Sequence, residues 1–136
     1  MTNQQFTGTP TSRRQIIPCP STVKAGDPVL IGKLPAVALD SYQSNEGGAS
    51  FLFGGTFLLS VIAQHGSPLV SGDIGPGDKI YAEGGTLDAT TNVTTGFTLN
   101  ADSVNGVFFG NLDPQQPKIL SGTTNTAAGV VLPNGM

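Results

Sequence analysis

From Gly26 onward this chain is never free to run far in one direction, because a turn-forming pair or triplet interrupts it roughly every 8–12 residues. Gly26-Asp27-Pro28, Gly32-Lys33, Glu46-Gly47-Gly48, Gly54-Gly55, Gly77-Asp78, Gly84-Gly85, Gly110 and Asp113-Pro114 are the interruptions. The apolar runs between them are strand-length and too short for ordinary surface helices. The composition points the same way. Charged residues make up 11% of the chain, against about 25% in an average domain, so the Lys, Glu and Arg that coat a solvated helix are scarce. A chain of 136 residues holds one domain and little more. The expected fold is therefore all-β: a single small β-sandwich or β-barrel of about nine or ten short strands.

Residues 1–22 read differently from the body at 23–136. They are polar, carry Pro10, Pro18 and Pro20, and hold only isolated apolar residues at Phe6, Ile16 and Ile17. Without periodicity, an extended N-terminal arm that orders against a partner is expected. Beyond it, strands are expected at Val29-Leu30-Ile31, Leu34 to Leu39, Phe51-Leu52-Phe53, Thr56 to Ala63, Lys79-Ile80-Tyr81, Thr86-Leu87, the threonine-rich stretch after Asp88, Val107-Phe108-Phe109, Lys118-Ile119-Leu120 and Gly129 to Leu132. Thr56 to Ala63 is apolar on both faces, which predicts a central strand or one buried in an interface; an amphipathic helix is the competing assignment. Gln64 to Gly77 and Ser121 to Ala128 read as wide loops. Short motifs recur in order: Gly26-Asp27-Pro28-Val29 with Gly77-Asp78-Lys79-Ile80, Ala38-Leu39-Asp40 with Asn111-Leu112-Asp113, and Phe53-Gly54-Gly55-Thr56 with Leu120-Ser121-Gly122-Thr123. They raise a diverged internal duplication, against chance recurrence in a Gly-rich β-protein.

Several functions lack their residues. With six Lys and Arg and a net charge of −3, the chain has no basic surface for nucleic acid. The one Cys and one His cannot form a zinc cluster, and Cys19, between two prolines, reads as a small apolar residue. His65 lies in a Gly/Ser/Pro loop, where a solvated surface role is the plain expectation. Asp73, Asp78, Asp88 and Asp102 lack the regular spacing of a calcium loop, while Asp27, Asp40, Asp78 and Asp113 sit where aspartates make turns. The glycine-rich stretches do not have the form of a phosphate loop, and Asn92-Val93-Thr94 is a chance-level sequon. The first ten residues have neither the basic start nor the apolar run of a secretory leader, and no apolar run reaches membrane length, so neither a leader nor a membrane span is expected. The expectation is a binding protein, not an enzyme, with no catalytic residue, metal, cofactor, nucleic acid or membrane.

The runs Val23 to Gly32 (VKAGDPVLIG), Pro35 to Asp40 (PAVALD), Phe53 to Leu59 (FGGTFLL) and Pro76 to Tyr81 (PGDKIY) resemble a family of small phage proteins. The family is catalogued as a domain of unknown function in phage structural modules, and its members are regarded as capsid decoration or cement proteins. Gly106 to Gly110 (GVFFG) and Ala128 to Leu132 (AGVVL) look like its closing strands. The resemblance spans roughly residues 23–133 and rests on turns and strands; the polar arm and the loop at 64–77 depart from it. It implies a protein on the outer capsid surface of a virion, made in the host cytoplasm, that clamps neighbouring major capsid protein subunits. It also implies a homo-oligomer, a trimer in preference to a dimer. In that setting Phe6, Ile16 and Ile17 are the expected apolar contacts, and Arg13 and Arg14 the expected partners of capsid carboxylates. The rival reading is a head-borne adhesin or carbohydrate-binding module, for which exposed aromatics are few. A small hydrolase centred on His65 is third.

Overall fold

The computed structural model describes residues 14–65, 70–71, 74–117 and 126–133. Among them there is no helix. The strands in chain order are β1 (Arg14–Pro18), β2 (Pro28–Ile31), β3 (Leu34–Ala38), β4 (Gly48–Leu52), β5 (Gly54–Val61), β6 (Gln64–His65), β7 (Val70–Ser71), β8 (Lys79–Asp88), β9 (Val93–Asn100), β10 (Val107–Leu112) and β11 (Thr126–Pro133). Nine of them form one sheet in the order β1-β4-β3-β2-β9-β5-β11-β10-β8, and the additional β9–β8 pairing closes its far end into a small barrel. The all-β expectation is met, as a barrel with extra strands.

The order contains the same four-stranded unit twice, β1-β4-β3-β2 and β5-β11-β10-β8, with β9 between. Their registers correspond: Pro28↔Val37 with Lys79↔Asn111, Ala38↔Phe51 with Leu112↔Val130, and Ile17↔Ala49 with Leu59↔Ala128. Their opening turns are built alike. The N–H of Gly26 donates to Ala38 O and that of Ala38 to Asp27 O; the N–H of Gly77 donates to Leu112 O and that of Leu112 to Asp78 O. In each turn the aspartate Oδ2 accepts a backbone N–H three residues back, from Lys24 (2.9 Å) and Gly75 (2.7 Å). The glycine before it sits at φ 88° and 82°, a conformation that costs any other residue strain. The echo in the sequence is thus a structural repeat. Its second motif is displaced by one residue, Ala38 standing where Leu112 does, and part of its third lies outside the described residues.

Each half has its own core, set by the period-two alternation of its strands. Cys19, Val29, Ala36, Ala38, Ala49 and Phe51 fill the first, with Val23 and Val93. In the second, Val61, Ile80, Leu112, Ala128 and Val130 occupy positions equivalent to Cys19, Val29, Ala38, Ala49 and Phe51, and Leu59, Ala63, Ile74, Ala82, Leu99, Phe109 and Leu132 pack with them. Leu30 and Val37, on the other face of the β2–β3 hairpin, pack into this second core and join the halves.

The strand β9 serves both. It pairs with β8 along its length, with β2 at Val93 and Thr94, and with β5 in parallel at Leu99. The β8–β9 ribbon bends between these tasks at Gly84, Gly85 and Gly96, all at positive φ. Glycine there, expected to end a strand, instead lets β8 run on. Similarly, β11 begins at Thr126, inside the expected loop Ser121 to Ala128, and β4 begins at Gly48, ahead of the strand expected from Phe51. The stretch expected to be apolar on both faces is β5. It is central in the sheet, with Leu59 and Val61 inward and Leu58 exposed.

A Cβ on Gly48 would collide with the carbonyl of Ile17 on β1. Gly48→Ala is therefore expected to lower stability by about 1–3 kcal/mol, the usual cost of overpacking. Chemical denaturation reads this directly; a variant as stable as the parent contradicts the close β1–β4 approach.

Candidate functional site

Of the residues expected to meet a partner, Phe6 and Arg13 lie outside the described residues. Arg14, Ile16 and Ile17 fall on β1, so this part of the expected arm is extended but belongs to the chain's own sheet, paired to β4. Residues 19–22 continue into the first core through Cys19. Ile17 packs against that core from its margin, while Ile16 points the other way and keeps 52% of its surface exposed. The structure therefore separates the two isoleucines: one holds the fold together, and one is free for contact.

Ile16 is not alone. It faces Ser50 across β4, and the N–H of Leu39 donates to Ser50 O on the opposite side. Leu39, Ser50 and Ile16 thus form one cross-strand row. Leu39 is 41% exposed and Ile16 52%, while Ser50 between them shows only 5%. Two exposed apolar residues thus flank a buried serine at the margin of the sheet. Leu39 was not among the expected contacts; the register that brings it to Ile16 is a tertiary fact.

The backbone edge of β1 is guarded. In the second half, β5 occupies the place of β1, and the N–H of Ile62 donates across to Leu99 O on β9 (2.9 Å). N–H groups of alternate residues point to the same side of a strand. The outward donors are therefore those of Leu58, Ser60 and Ile62, whose equivalents on the first half are Ile16, Pro18 and Pro20. Of the outward positions Arg14, Ile16, Pro18 and Pro20, the last two thus carry no N–H, a standard protection of a sheet edge against strand addition. The Pro-Cys-Pro sequence is explained by this: prolines face out while Cys19 faces in. Burial, the largest influence on Cys19, raises its thiol pKa, with the Asp40 charge adding to the effect against a hydrogen bond from Ala49.

Three aspartates among the described residues hold turns and strand ends. Asp40 Oδ1 accepts the N–H of Ser50 (2.9 Å), and Asp113 Oδ1 accepts that of Gln115 (3.0 Å). Asp102 is fully buried at the turn after β9. Its Oδ1 accepts the N–H of Val104 (2.9 Å) and its Oδ2 the Nδ2 of Asn105 (3.1 Å), while its own N–H donates to Asn100 Oδ1 (2.9 Å). Asn100 Nδ2 reaches Glu83 Oε1 on β8 (2.9 Å). Burial pushes the Asp102 carboxyl pKa up, but the hydrogen bonds to Val104 and Asn105 outweigh it and the net displacement is downward. Among the described residues no three His, Cys, Asp or Glu side chains are grouped to hold a metal. His65 lies on β6, a two-residue strand paired with β7. Where β5 and β9 diverge, a cleft of about 390 Å³ opens, lined by Gly26–Pro28, Leu58–Ser60 and Phe97–Leu99. Its one carboxylate, Asp27, is already engaged by Lys24 N–H. No helix among the described residues is long and apolar enough to cross a membrane.

Comparison of the chain with protein-family models, with curated proteins and with solved structures finds no match in any of the three.

Two measurements follow from this geometry. Asp102 titrates below its unfolded value, so its stabilisation is complete above the ordinary aspartate pKa of about 3.9. It is lost as pH falls from there through the lower folded value. Asp102→Asn is expected to flatten the acid limb of the stability–pH profile and to lower stability at neutral pH; an unchanged acid limb contradicts the assignment. Restoring two outward donors with the double substitution Pro18→Ser and Pro20→Ser is expected to promote self-association on size-exclusion chromatography. An elution volume unchanged at high concentration contradicts the guarding role.

Proposed function

We propose that this chain is a decoration, or cement, protein of a phage head, which binds the outer capsid surface and bridges major capsid protein subunits. The observation that carries the proposal is the pair of exposed apolar residues Leu39 and Ile16, which flank the buried Ser50 on one cross-strand row at the margin of the sheet. It lies on a chain with few charges, as suits a surface that works packed against neighbours. The resemblance over roughly residues 23–133 is what suggests a capsid as the partner; no family model carries it. The work of such a protein is binding free energy. Many copies on one shell make the effect multivalent, so each contact is modest and the ensemble strong. The working unit is taken to be a homo-oligomer, a trimer at three-fold positions in preference to a dimer at two-folds.

Co-sedimentation of the purified protein with undecorated, expanded heads tests this. The full-length chain is expected to saturate at a copy number that matches the symmetry of the shell. Removal of residues 1–13 is expected to weaken binding while leaving the melting temperature in place. A truncation at residue 22 does not serve, because it removes β1 and Cys19 and opens the first core. If the full-length chain binds no heads, the proposal is withdrawn.

A further inference from the structure

The repeat sets two exposed apolar residues at one equivalent position. Ile16 on β1 faces Ser50 of β4, and Leu58 on β5 faces Gly129 of β11. The equivalence of Ser50 and Gly129 is fixed by the next strand, where the N–H of Leu39 donates to Ser50 O (2.8 Å) and that of Asp113 to Gly129 O (2.9 Å). Ile16 is 52% exposed and Leu58 74%, the most exposed large hydrophobic residue among those described. Neither contributes to a core; their chain neighbours Ile17 and Leu59 do. A single exposed leucine is ordinary and calls for no explanation. Here a branched apolar side chain stands beside a small residue at the same place in both halves, although the outer positions around it have diverged, as with Leu39 against Asp113.

We propose that Ile16 and Leu58 are equivalent anchors, which seat in the same apolar pocket on two adjoining, identical subunits of the partner. The proposal rests on the capsid reading, since a shell offers one and the same pocket on neighbouring subunits. The repeat itself points to this partner. Two like anchors on like strands need two like pockets, and identical subunits supply them without a second pocket of different origin. Once the first anchor is seated, the second binds at an effective concentration set by the rigid body between them. Seating both links the two subunits, which is what a cement protein must do.

The test uses the full-length chain carrying Ile16→Thr, Leu58→Thr or both, with Leu87→Thr and Val104→Thr as controls at exposed apolar residues outside the equivalence. Threonine is β-branched and strand-compatible, which suits the substitutions on β1, β5 and β8. In co-sedimentation titrations with undecorated heads, each anchor variant is expected to lose roughly tenfold or more in apparent affinity. The double variant is expected to show no saturable binding, and the controls to stay within about twofold of the parent. Hydrogen exchange on the unsubstituted chain gives a readout independent of any variant's folding: both Ile16–Ile17 and Leu58–Leu59 are expected to gain protection on heads. If the unsubstituted chain does not bind, the capsid reading fails and this proposal with it. If it binds, but only one segment is protected or either single variant binds as tightly as the parent, the two-anchor proposal is overturned and the capsid reading stands. Equal losses in the controls overturn it as well, by showing general apolar adhesion.

Discussion

A four-stranded sheet leaves two edges, and the backbone groups along each must find partners or be kept from finding wrong ones. In the second half of this protein one strand meets the requirement. The strand β9 pairs along β8, reaches β5 at Leu99 and so turns β5-β11-β10-β8 into a barrel. The same strand takes the edge of β2 through Val93 and Thr94. It also joins the two cores, placing Val93 in one and Leu99 in the other. A straight ribbon could not reach all three neighbours. The bend at Gly84, Gly85 and Gly96 therefore belongs to the architecture: a Cβ on Gly85 would approach Thr95 O to 2.9 Å.

The first half repeats the unit without that closure, and its outer edge is treated in another way. No strand lies beyond β1 among the described residues. Where β5 presents the N–H groups of Ser60 and Ile62, β1 and its continuation present Pro18 and Pro20. A sheet edge that is closed in one half by a strand is closed in the other by removing donors. Docking through backbone addition, one of the routes open to an extended arm, is thereby disfavoured along the proline side of β1, and side-chain contact at Ile16 remains.

Much of this could be read from the residues alone. The Gly-Asp turns announced the starts of β2 and β8, short apolar runs bounded by turn residues announced β3 and β5, and the recurring turn motifs raised the repeat against chance recurrence. Three things could not be read. Residues 14–18 look like an arm because Pro18 and Pro20 argue against a strand, and only a free edge on one side makes prolines compatible with strand pairing on the other. Gly84-Gly85 looks like a turn because positive φ usually reverses a chain, whereas here it bends a paired ribbon. The row Leu39–Ser50–Ile16 joins residues far apart in sequence, through a register that no local pattern specifies.

Comparing the halves position by position separates architecture from what is left over. Inward positions keep their character: Cys19 matches Val61, Ala49 matches Ala128, and Phe51 matches Val130, all buried. The lone cysteine is thus the counterpart of a valine, and packing explains its place. Outward positions have diverged, because the two outer faces have different tasks. On the first half, Val37 packs into the core of the second; its counterpart Asn111 donates instead through Nδ2 to Gly77 O (3.1 Å). With Leu30 and Val37 committed to joining the halves, only the β1–β4 end of that face stays open, and Ile16 lies there. On the second half the counterpart face joins no halves through its core, and Leu58 stands on it at the rim of the cleft shared with Gly26–Pro28 and Phe97–Leu99. Ile16, with Leu39 across the buried Ser50 from it, and Leu58 are apolar residues left on equivalent outer faces after the demands of folding are met, and the part of a surface that folding does not need is the part free to bind.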